Sequence, residues 1–67
     1  MELYQLRSFR AVARIRNLAR AAKELKISQS ALSTQVRALE EELGLRLFER
    51  SARGMRLTDE GRVILAH

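Results

Sequence analysis

Cysteine and proline are both absent from the 67-residue chain, and its one histidine is the last residue, His67. These gaps exclude a disulfide, a thiolate nucleophile and a Cys/His zinc site within the chain, so no cofactor and no metal is expected. No residue set pairs a nucleophile with a base, and an enzymatic function is not expected either. No apolar run approaches the roughly 20 residues that cross a bilayer, and Met1 is followed by Glu2 instead of a basic and then hydrophobic leader. The expectation is a cytoplasmic protein with no membrane attachment. Glycine is confined to Gly44, Gly54 and Gly61, so breaks are few and each glycine is expected to mark one.

Positive charge is what the chain has in excess: 13 Lys and Arg face 8 Asp and Glu, a net +5. That balance favours polyanionic partners such as nucleic acid or an anionic membrane surface, without choosing between them. The length allows one small domain with a modest core.

Leu3, Leu6, Phe9, Val12 and Ala13 recur at three- and four-residue spacing with Arg7, Arg10 and Arg14 between them, which predicts an amphipathic helix from about Glu2 to Ile15. Asn17 is an N-cap candidate for a short second helix, Leu18 to Leu25, whose apolar stripe is Ala21, Ala22 and Leu25. Ser28 is the next cap. From it Leu32, Val36, Leu39 and Leu43 fall in one narrow sector of a third helix, which is expected to stop at Gly44 in a left-handed C-cap with Leu45 folding back.

After Gly44 the period changes. Leu45, Leu47 and Phe48, then Met55 and Leu57 around a turn containing Gly54, predict a short β-hairpin. Thr58 reads as the cap of a fourth helix, with Asp59 and Glu60 in its first turn and Val63, Ile64 and Leu65 as its apolar residues. The fold expected is mostly α: a winged helix-turn-helix of three helices and a β-hairpin wing over residues 1–57, then the start of a fourth, linker helix over residues 58–67.

This topology accounts for an uneven helix three, in which small hydroxyl and amide side chains come first and Glu40, Glu41 and Glu42 come last. With the leucines and Val36 inward, Ser30, Thr34, Arg37 and Glu41 project outward and Ser33 lies on their flank. Short polar groups at the start of a recognition helix can meet base edges and phosphates in a major groove, where acids would be repelled. Gln29, Ser30, Ser33, Thr34 and Arg37 are therefore the candidate contacts on the helix, and Arg50 and Arg53 those on the wing. Each has a plainer reading: Ser and Thr are common near helix starts, and loop arginines are commonly just solvated. The plainer reading is preferred for Arg7 and Arg10, and the glutamates are read as solvated or paired with arginines.

The stretch from Asn17 to Gly61 strongly resembles the N-terminal DNA-binding domain of LysR-type transcriptional regulators. The resemblance rests on "RAA" at Arg20–Ala22, "SQSALS" at Ser28–Ser33, "LEEELGLRLFER" at Leu39–Arg50 and "LTDEG" at Leu57–Gly61. It implies a bacterial regulator that binds interrupted palindromes in double-stranded promoter DNA as a dimer of dimers. Its base and phosphate contacts match Gln29, Ser30, Ser33 and Thr34, and its wing contacts match Arg50 and Arg53. Two positions depart from the family pattern: many members have proline where this chain has Ser30, and a longer basic residue where it has Thr34. The resemblance further implies homodimers or homotetramers of the full-length protein and a small-molecule effector bound by a C-terminal domain that is not in this sequence. With only the first turns of the linker helix, the chain itself is expected to be a monomer or weak dimer. From another functional class, the competing reading is a winged helix whose exposed third-helix face meets a protein instead of DNA.

Overall fold

A computed structural model describes residues 2–52 and 54–66. The elements follow in the order α1 (Leu3–Ile15), α2 (Leu18–Leu25), α3 (Gln29–Leu43), β1 (Phe48–Ser51), β2 (Gly54–Leu57) and α4 (Asp59–Ala66). The expected winged helix-turn-helix is present, with helix boundaries within a residue of those read from the sequence.

The caps explain that agreement. The Asn17 side chain accepts from the Arg20 amide at 2.9 Å and the Ser28 hydroxyl from the Ala31 amide at 3.0 Å, each satisfying a donor the helix leaves free. Gly44, at φ +70°, ends α3, and the Leu45 amide reaches back to the Glu40 carbonyl at 3.1 Å. Thr58 caps α4 by accepting from the Gly61 amide at 2.9 Å, while its own hydroxyl donates to the Arg46 carbonyl at 2.6 Å. The other two helix ends use no glycine: Arg16 and Lys26 adopt the left-handed conformation at φ 61° and 60°.

Phe9, Val12, Ala21, Leu32, Leu39 and Leu47 are fully enclosed where α1, α2 and α3 meet beneath the wing. Phe9 and Phe48 join α1 to β1 through tilted rings 5.5 Å apart. The expected core face of α1 is corrected at its first turn. Leu3 is 75% exposed, whereas Gln5 and Ser8 are buried. Gln5 accepts from the Glu2 amide at 2.8 Å and the Ser8 hydroxyl donates to Gln35 on α3 at 2.5 Å, so two short polar side chains with partners occupy the inward side. On α3, Leu43 is half-buried at the margin of the core.

The hairpin is antiparallel and pairs Phe48 with Leu57 and Ser51 with Gly54. It begins three residues later than the apolar pattern from Leu45 suggests. Leu47 and Phe48 are both buried, so the chain does not alternate as it enters the strand. Gly61 is not a break: it lies inside α4, where a Cβ would sit 2.4 Å from the Leu47 carbonyl oxygen, and the missing side chain lets α4 close on that backbone. Among the described residues, no helix is long and apolar enough to cross a membrane.

Candidate nucleic-acid interface

Ser28 starts α3 in an extended conformation, and every later position follows from the 3.6-residue turn. Leu32, Val36 and Leu39 point into the core. Ser30, Thr34 and Arg37 consequently stand exposed along the opposite side, with Ser33 half-buried on the flank, while Gln29 is exposed at the first position of the helix, one turn before the core stripe. The first three turns of this face carry no carboxylate. Its amide and hydroxyl groups offer donors and acceptors at the helix end whose dipole attracts anions.

The wing reaches the same face. Arg50 lies on β1, and its Nη2 donates to the Ser33 hydroxyl oxygen at 2.8 Å, joining a wing residue to a helix residue 17 positions earlier. Because the Ser33 oxygen accepts there, its own hydrogen is left to donate elsewhere. Val36, Arg37, Glu40, Arg46 and Met55 complete a groove between the second half of α3 and the hairpin. Arg53, the other wing candidate, lies outside the described residues.

The wing is also tied to its base. The Met55 amide of β2 donates to the Arg16 carbonyl at 3.0 Å, a bond made possible by the left-handed turn at Arg16. Gly54 passes so close that a Cβ there would sit 2.3 Å from the same oxygen.

The acidic run proves uneven. Glu41 and Glu42 are exposed, but the Glu40 carboxylate accepts from the backbone amides of Leu47 at 2.7 Å and Phe48 at 3.3 Å. The reading of Glu40 as solvated or arginine-paired is corrected, since its partners are peptide groups at the entrance to β1. One signal was available: Glu40 is seven residues from Ser33, hence on the same flank of the helix and facing the wing. The stripe on α1 behaves as read for Arg7 and Arg10, which are exposed, while Arg14 pairs with Glu24 of α2.

A model of bacterial regulatory helix-turn-helix proteins of the LysR family matches residues 3–62. The chain belongs to the LysR family. Relatives of this LysR-family chain include the transcriptional activator AmpR of Providencia stuartii, 52% identical over 65 residues that make up 97% of this chain and 22% of AmpR. The transcriptional regulator BudR of Klebsiella aerogenes is 57% identical over 61 residues, 91% of this chain and 43% of BudR. The chain thus spans well under half of these curated relatives. Two similar solved structures are DNA complexes. The CbnR DNA-binding-domain complex superposes with a TM-score of 0.94 at 48% identity, covering 98% of this chain and 76% of that one. The BenM DNA-binding domain with benA site 1 DNA gives 0.93 at 44% identity, covering 98% and 74%.

Proposed function

We propose that this LysR-family domain binds double-stranded DNA sequence-specifically, with the start of α3 in the major groove and the wing on the backbone or in the minor groove. The observation that carries the reading is the acid-free start of α3, with Ser30, Thr34 and Arg37 outward, Ser33 on the flank and Gln29 exposed at the first position, joined to the wing by the Arg50–Ser33 bond. The two DNA complexes of similar domains support it. In this reading Gln29, Ser33 and Thr34 meet base edges. Ser30, next to the helix start, takes a phosphate or a base, while Arg37, Arg50 and Arg53 hold phosphates or a groove edge.

Residues 1–57 form the DNA-binding unit and residues 58–67 begin a helix that pairs two copies. Support for that division comes from α4, where Val63 and Leu65 are 58% and 38% exposed while Ile64 packs on the core. A two-fold pair would place two α3 helices on half-sites about one turn of DNA apart, roughly 34–36 Å. The whole regulator is then a bacterial homodimer or homotetramer, acting at promoters and answering to a small effector held by a further domain.

Selection of bound duplexes from a random pool tests the reading, followed by competition between the selected and a scrambled duplex. A recovered consensus that outcompetes the scramble is expected; recovery of the unselected pool would overturn sequence-specific binding.

A further inference from the structure

Resting on the DNA-binding reading above, we infer that Glu40 is a positioning residue for the wing: by gripping the Leu47 and Phe48 amides it sets how far Arg50 reaches, so that α3 and the hairpin present one rigid surface to a duplex. A two-stranded hairpin alone is marginal in water and needs outside contacts to hold one position. Burial of Phe48 and Met55 in the core supplies part of it, and three polar contacts reinforce it. The Met55 amide bonds to Arg16 behind the wing, Arg50 bonds to Ser33 at its front, and Glu40 takes two amides at its base.

The three differ in kind. Arg50 and Ser33 are the groups offered to DNA, so their mutual bond competes with DNA for the same atoms. Arg16 anchors β2, not β1. Glu40 holds the strand that carries Arg50 by its backbone, and it does so from α3 itself, whereas the Phe9–Phe48 contact holds that strand through a side chain and from α1. Its acceptor is a carboxylate, and bonds from amides to a charged oxygen are shorter and stronger than those between neutral groups. Phe48 lies two residues before Arg50, so on a pleated strand both side chains leave the same face, and a shift at the Phe48 amide is carried directly to the arginine. A carboxylate beside a phosphate-binding surface costs some affinity through repulsion, and the two amide donors stabilise it there without removing its charge.

The test measures duplex affinity against salt for the 67-residue chain and for Arg50→Ala, Glu40→Ala and the double variant, with a thermal melt of each. If Glu40 acts through Arg50, Glu40→Ala reduces the salt slope by about one unit, as Arg50→Ala does. In the Arg50→Ala background it then adds less than about a twofold change, because the two losses are not independent. Glu40→Gln, which keeps a carbonyl acceptor, restores most of the slope. Should Glu40→Ala fail to fold, Glu40→Asp takes its place, keeping the charge but withdrawing it by one methylene. A lower melting temperature with an unchanged slope in the folded variant overturns the positioning role, as does a full additive loss in the double variant. Absence of salt-dependent binding by the unmodified chain is a different result. It overturns the DNA-binding reading, and this inference with it.

Discussion

Single side chains on α3 divide into those that hold the fold and those left free to act. Gln29 is exposed and carries both a donor and an acceptor, the pair that matches the edge of an adenine. Gln29→Ala is expected to lower the preference for the selected duplex by about 1–3 kcal/mol while binding to random DNA changes little, as competition titrations would read. Equal losses on both duplexes would place Gln29 outside base recognition. Ser33 differs because it also holds Arg50. Ser33→Ala should therefore weaken binding to both duplexes as well as relax preference. Gly54 belongs to the fold: at φ +113° and with a Cβ 2.3 Å from the Arg16 oxygen, Gly54→Ala must displace β2. A loss of about 1–3 kcal/mol is expected in chemical unfolding. An unchanged midpoint would mean that the turn rearranges freely.

At the scale of elements, the parts legible in the sequence are those with local causes. Asn17, Ser28, Gly44 and Thr58 each satisfy or release backbone groups within one turn, and all four cap the helices where their residue types predict. The spacing of Leu32, Val36 and Leu39 located the buried side of α3, and with it the exposed face. What escaped depends on distant chain. Arg16 and Lys26 occupy a conformation that favours glycine, and no local pattern marks them. At Arg16 the gain is visible only in three dimensions, where its carbonyl accepts from Met55. Gly61 looked like a stop, yet it admits the Leu47 backbone. In the candidate site, positions on α3 could be counted out, but the pairing of Ser33 with Arg50 needed the hairpin in place. Lys26 offers a check, since its left-handed backbone costs energy that glycine avoids. Lys26→Gly should leave the turn intact and stabilise by up to about 1 kcal/mol, the strain relieved less the added freedom of the unfolded chain. A lower melting temperature would mean that the lysine side chain contributes more than its backbone costs.

On the scale of the whole molecule, a net charge of +5 accompanies a surface in which one helix face and one wing converge. In the proposed reading non-specific affinity comes from charge and specificity from the α3 face, and the two respond differently to salt. The central claim is that this surface binds duplex DNA, and the most direct measurement is affinity for the selected and scrambled duplexes across a fourfold rise in salt. Each neutralised phosphate contributes about −0.9 to the slope of log K against log salt. Two to four contacts from α3 and the wing predict a roughly 10- to 150-fold loss of affinity between 50 and 200 mM salt, with the selected duplex preferred throughout. A flat salt dependence, or equal affinity for the two duplexes at every concentration, would contradict the account.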